Sequence, residues 1–142
     1  MFMYVFSIVL IVSSNIVYNI CQKSTSQKVN PFAALLITYL TAALLSFIAF
    51  YFYKGDKRIF ESFKELNWTS VALGFSILGL EFGYLMAYRA GWNISVAPIV
   101  ANSFLTLMLI PIGILVYKEG FTLTKTIGVL FCIVGLVIIN KK

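Results

Sequence analysis

Histidine is missing from this chain altogether, and cysteine occurs only as Cys21 and Cys132. Zinc sites draw chiefly on those two residue types, and the common acyl-transfer triads need an imidazole base, so neither chemistry is expected. Both cysteines lie at or inside apolar runs far apart in sequence, and no disulfide is implied. Charge is scarce as well: 11% of the 142 residues are Asp, Glu, Lys or Arg, against about 25% in soluble domains. What the chain has in excess is hydrocarbon. Hydrophobic residues make up 61% of it, and the mean hydropathy is +0.95. So short a chain has too much surface to hide that many apolar side chains from water. Lipid is the natural solvent, and residues 1–142 read as a single multi-pass transmembrane domain.

The net charge of +6 is not a nucleic-acid footprint. Its Lys and Arg residues form no stripe but stand singly or in small groups between apolar runs, as membrane loops require. With no nucleophile–base pair and no metal-ligand cluster visible, no enzyme activity, cofactor or metal is expected.

A hydrocarbon layer ~30 Å thick takes about 20 helical residues to cross. Five segments reach that length: 2–21, 32–53, 68–88, 94–117 and 121–140. They are long and unbroken, unlike the ~10-residue alternating segments of a β-barrel, so five transmembrane helices are expected. The first run lacks a basic leader and a small-residue cleavage site, which makes it a retained helix. Pro31 can open the second helix, and Gly91–Trp92–Asn93 and Lys118–Glu119–Gly120 mark turns. Tyr51, Tyr53, Trp68, Tyr88, Trp92 and Tyr117 fall near span ends, as an aromatic belt would. Between spans two and three, residues 57–66 place Ile59, Phe60, Phe63 and Leu66 on one helical face, which fits either a short interfacial helix or a solvated loop.

Five spans put the termini on opposite sides. The N-terminal side then carries six basic residues, Lys54, Lys57, Arg58, Lys64, Lys118 and Lys125; the other side carries five, Lys23, Lys28, Arg89, Lys141 and Lys142. The positive-inside rule has almost nothing to act on. Two readings stay open: a single topology with the N-terminal side cytoplasmic, or insertion both ways with antiparallel pairing of two copies.

Glu81 is the one ionisable residue near the centre of a span. A carboxylate there costs roughly 2.5–3.5 kcal/mol on insertion scales, so it should face protein or a water-filled cavity. Trading a proton between the two sides, it could couple transport to a proton gradient; the alternative is a neutral acid bonded across a helix interface. Other polar residues recur at helical spacing: Asn15, Tyr18 and Asn19 on span one; Thr38, Tyr39 and Thr41 on span two; Tyr84 and Tyr88 beside Glu81; Ser95, Asn102 and Thr106 on span four. They could line a shared cavity or serve as interhelical hydrogen bonds of about 0.6 kcal/mol each. A cavity of this composition suits a small polar or cationic organic solute. Its expected lining is Asn15, Tyr18, Asn19, Tyr39, Glu81, Tyr84, Tyr88, Asn102 and Thr106, with Glu81 as the proton-coupling group. Pro98 and Pro111 inside span four can each kink it, as a hinge or as an ordinary membrane-helix feature. Gly79 and Gly83 form a GxxxG, and Gly128, Cys132 and Gly135 make a small-residue seam on span five expected to serve subunit packing.

Two stretches carry a family likeness. The first, LVYKEGFTLTKTIGVLFCIVGLVII, has Glu119 opening the last loop and Gly128 and Gly135 seven apart; the second, SSNIVYNICQK, is followed by a polar loop and NPF. In these the chain resembles the drug/metabolite transporter superfamily, as a single EamA-type five-helix domain, with a more distant similarity to small multidrug resistance proteins. The resemblance implies transporters built from two inverted EamA halves, so that a lone half works as a dimer, with the last helix in the dimer contact. It also implies a structural role for Glu119. One departure is visible: where small multidrug resistance proteins carry a first-helix glutamate that binds proton and cationic drug, this chain has Asn15, and Glu81 on another helix is the only substitute in sight.

The expectation is therefore a secondary transporter of small polar or cationic metabolites in the inner (cytoplasmic) membrane. It would act by alternating access as a homodimer, with export as the direction that family analogy favours. Its partners would be the lipid bilayer, a small-molecule substrate and a second copy of itself. The alternatives are a translocation subunit for lipid-linked sugars and a non-transporting membrane scaffold.

Overall fold

The computed structural model describes residues 2–53, 59–120 and 122–140. Lys54, Lys57 and Arg58 of the charge balance and of the expected interfacial helix, Phe121 of the fifth span, and Lys141 and Lys142 lie outside them. Among the described residues six helices follow one another, α1 (Phe2–Ser24), α2 (Pro31–Phe52), α3 (Ile59–Lys64), α4 (Trp68–Arg89), α5 (Val96–Leu115) and α6 (Leu123–Asn140). No strand occurs among the described residues. The protein is all-α and built for a membrane: α1, α2, α4 and α5 are each long and apolar enough to cross one. The fifth apolar helix, α6, has 18 residues and at 1.5 Å per residue is about 27 Å long.

The chain divides into two compact units, Met1–Ala90 and Gly91–Lys142. In the first, α4 packs against both α1 and α2. Local chemistry sets the ends of these helices. The Asn30 side chain accepts from the Phe32 N–H at 2.9 Å, and Pro31 stands at the first helical position, where a missing N–H costs nothing. The Asn67 carboxamide accepts from the N–H of Thr69 at 3.0 Å and from its hydroxyl. Gly91, at φ +94°, takes the left-handed conformation that ends α4. α1 runs three residues past the expected Cys21, to Ser24. Hydropathy marks where hydrocarbon ends, whereas a helix continues as long as its backbone and polar side chains find partners.

α3 is a six-residue helix whose Phe63 and following Leu66 are more than half exposed. Exposure is the rule on the long helices too: Ile37, Leu40, Phe75 and Val71 all show more than half their surface. Lipid, not a protein core, covers such faces. Among the described residues few apolar side chains are buried. Leu35, Leu85 and Tyr88 cluster where α4 meets its neighbours, and Ala97 lies at the start of α5.

In the second unit, α5 and α6 form a packed hairpin. α5 begins at Val96 because the Asn93 carbonyl already holds the Val96 and Ala97 N–H groups. At its far end Lys118, at φ +53°, reverses the chain so that the Glu119 N–H reaches the Gly113 carbonyl at 3.0 Å. The Glu119 carboxyl comes to rest against Gly113, where a Cβ would lie 3.0 Å from Glu119 Oε2.

Three expectations need correction. Pro98 is the third residue of α5, in the first turn, where N–H groups stand outside the helix's own ladder; only Pro111 is interior. Tyr88 is not a belt residue: it is 4% exposed, with its hydroxyl bonded inside the protein. The GxxxG face of α4 makes no close contact among the described residues of its own unit, since a Cβ at Gly79 or Gly83 would meet nothing within 4 Å.

Candidate functional site

Glu81 lies two turns before the end of α4, on the side that faces α1. The Gln22 amide donates to its carboxyl, Nε2 to Oε2 at 2.5 Å. The same Nε2 lies 3.4 Å from the Tyr18 hydroxyl, which also bonds the carboxyl. Tyr39 on α2 lies within the field of that carboxyl, and its own hydroxyl is buried without a partner among the described residues. Side chains from two helices, α1 and α2, thus surround the acid of a third, α4. Gln22 is itself buried, so the acid's strongest partner is shielded from bulk solvent.

Tyrosine rings wall the site. Tyr18 and Tyr84 meet edge to face, with centroids 5.7 Å apart and planes at 87°; Tyr84 and Tyr88 follow at 6.1 Å. Beyond them Tyr88 donates to Asn19 Oδ1 at 2.5 Å. The Asn19 amide donates in turn to the Asn15 carbonyl at 2.8 Å. This pair is interleaved with the first, because Gln22, further along α1, reaches Glu81, while Asn19, earlier on α1, takes Tyr88. Crossed contacts of this kind resist sliding of α1 along α4.

The α1–α2 loop closes the same end. Arg89 Nη2 donates to the carbonyls of Ser26 at 3.1 Å and Val29 at 2.7 Å. The Lys23 ammonium stands 5.6 Å over the Tyr88 ring, within cation–π range. Phe32, at the start of α2, stacks on Phe82 at 5.2 Å with planes 8° apart.

Of the residues singled out in the sequence, Tyr18, Asn19, Tyr39, Glu81, Tyr84 and Tyr88 belong to this cluster. Asn15 reaches it only through its backbone carbonyl; its amide turns back to the Ile11 carbonyl and its side chain is exposed. Thr38 and Thr41 spend their hydroxyls on carbonyls of their own helix. Asn102 and Thr106 belong to the second unit. There they line, with Pro98, Ile99, Ser103 and Cys132, part of a groove between α5 and α6. Its larger portion, about 440 Å³, runs past Leu107, Ile110 and Ile114 to Glu119, with Gly128, Val129 and Cys132 on the α6 side. Gly135 is partly exposed, and a Cβ at Gly128 or Gly135 would meet open space.

Sequence reading missed Gln22. Ending the first span at Cys21 put Gln22 in a loop, although it stands one heptad after Asn15 and four residues after Tyr18. The helical period, extended by one turn, places it on the same face. Gly113 was missed because its need for space shows only once Glu119 folds back.

Long apolar helices around one acid and several tyrosines define a multi-pass membrane protein with a polar interior site. The model of the EamA-like transporter family matches residues 2–141, across both units, and the chain belongs to that family as a single EamA-type domain of the drug/metabolite transporter superfamily. Searches of curated proteins and of solved structures each returned no match. Membership makes the protein a membrane transporter of the drug/metabolite type and points away from an enzyme.

Proposed function

We propose that this chain is a secondary transporter moving small polar or cationic metabolites across the cytoplasmic membrane, outward, by alternating access as a homodimer. Glu81 is the group that couples solute to protons. The observation that carries the reading is the convergence of Gln22, Tyr18 and Tyr39 from two helices on the Glu81 carboxyl of a third. A carboxyl is expensive at that depth unless it has a task or a full set of partners. Here a buried hydroxyl within electrostatic range, that of Tyr39, has no partner among the described residues. The dimer is supported by the near-equal basic counts on the two sides and by the open small-residue face of α6. Gly128, Cys132 and Gly135 would lie in that contact.

The test is solute uptake into proteoliposomes under an imposed pH gradient. Wild type should concentrate solute, and Glu81→Gln should lose the response to the gradient. Gradient-driven accumulation that persists in Glu81→Gln removes the coupling role.

A second reading has its own support. The α5–α6 groove is apolar along Leu107, Ile110 and Ile114, with a carboxyl at one end, and such a groove suits an acyl or prenyl chain. A lipid-carrier translocation subunit would use it, and transport would then require lipid-linked substrate.

A further inference from the structure

The partner that Glu81 has within the chain carries information about the partner it would take from outside. Gln22 brings a terminal –NH2 to the site. An amide nitrogen of that kind has two N–H donors and no more. Both have acceptors: Glu81 Oε2 at 2.5 Å and Tyr18 Oη at 3.4 Å. The Tyr39 hydroxyl on α2 lies within electrostatic range of the same carboxyl, and it is buried without a hydrogen-bond partner among the described residues. Buried hydroxyls are seldom left so. Two oxygens thus take both hydrogens of the Gln22 nitrogen, and a third, on α2 within electrostatic range of the same acid, is left over among the described residues.

A primary ammonium has three N–H donors and a positive charge that a carboxylate and tyrosine faces both attract. On this geometry, and resting on the transport reading above, we infer that the Glu81 site takes small primary ammonium compounds. The ligand nitrogen displaces the Gln22 amide and donates to Glu81, Tyr18 and Tyr39 at once. The edge-to-face Tyr18–Tyr84 pair flanks the carbon next to the nitrogen. Gln22 is then the internal competitor that satisfies the acid when no solute is bound, and Tyr39 is the residue that counts N–H groups. A quaternary ammonium matches the charge and the rings but has no N–H: it cannot replace the donor that Gln22 gives the acid, and it leaves the Tyr39 hydroxyl without one. Discrimination of this kind is large, because a polar site rejects a ligand that cannot pair its buried groups.

The experiment uses the full-length protein in lipid nanodiscs and titrates methylammonium chloride, tetramethylammonium chloride and sodium chloride, with calorimetry as readout. Methylammonium should bind about tenfold or more tightly than tetramethylammonium, and Tyr39→Phe should lower that preference about tenfold, the worth of one hydrogen bond to a charged donor. Gln22→Ala should tighten methylammonium by removing the competitor. Thermal unfolding of each variant separates loss of binding from loss of folding. Tetramethylammonium binding as well as methylammonium overturns the inference, as does an unchanged preference in folded Tyr39→Phe or weaker methylammonium binding in folded Gln22→Ala. The two readings fail separately. Methylammonium that binds in the expected pattern but is not carried across proteoliposomes refutes transport and leaves the site. Gradient-driven transport lost in Glu81→Gln, with no methylammonium binding, refutes the ligand class and leaves transport.

Discussion

Gln22 and Glu81 stand 59 residues apart in the chain, yet the amide of one donates to the carboxyl of the other at 2.5 Å. The contact ties the last turn of α1 to the middle of α4. Its crossed companion, Tyr88 to Asn19, fixes the register of the two helices, since sliding one along the other would lengthen one contact or the other.

Removing Gln22 should expose the cost of the acid. In Gln22→Ala the carboxyl loses its amide donor, and the protein should lose about 1–3 kcal/mol of stability, read as a lower midpoint of thermal unfolding in detergent. Methylammonium should restore part of that loss in the variant and do less for wild type. An unchanged midpoint would mean that the contact contributes nothing to holding α1 on α4.

The Tyr88–Asn19 bond is buried, so its loss should be felt. Tyr88→Phe should cost about 0.5–1.5 kcal/mol. In a double-mutant cycle with Asn19→Leu the two effects should be less than additive, because both variants break the same bond. Fully additive effects would show that the pair does not interact.

Gly113 and Glu119 make a similar pair in the α5–α6 turn. Alanine at an interior helix glycine ordinarily gains up to about 1 kcal/mol. At Gly113 the added Cβ would lie 3.0 Å from Glu119 Oε2, and the Glu119 backbone is held by its bond to the Gly113 carbonyl. Gly113→Ala should therefore be neutral or destabilising in the wild-type background and stabilising beside Glu119→Ala. Melting curves of the four variants decide it.

Gly91 carries the left-handed turn after α4. Gly91→Ala, at φ +94°, should cost about 1–2 kcal/mol, whereas an alanine at exposed Gly83, where nothing lies within 4 Å, should not. Equal melting points for the two variants would place the turn's freedom elsewhere.

Orientation can be tested through Lys28, an exposed residue of the α1–α2 loop. With six basic residues against five, a reporter fused to the C-terminus should appear on both faces of the membrane. Lys28→Ser should shift it towards the face opposite the cytoplasm. A wild-type reporter confined to one face rules out dual insertion.

Much of the fold could be read from the chain. Runs of some twenty apolar residues, the Pro31 opening and the Gly91 break each act over a single turn or a single span, and short-range rules describe them. The polar cluster was legible only in part. Asn19, Tyr18, Glu81 and Tyr88 stood out because a polar residue in an apolar run is costly and visible. Gln22 did not, because at the water boundary a glutamine looks like any loop residue. Tyr88 was read both as a belt aromatic and as a cavity residue, since a tyrosine near a span end suits either, and only its neighbours separate the two.

By itself the sequence determined that the chain lives in lipid, how many apolar helices it forms, and that one acid is carried into the membrane among tyrosines. These follow from transfer energies and helix geometry, which depend on residues close together in the chain. The tertiary structure alone decided which side chains that acid meets. The pairing of Gln22 with Glu81, and the Tyr39 hydroxyl left without a partner among the described residues, depend on how α1 and α2 are set against α4, and helix register is a property of packed surfaces that no single helix contains.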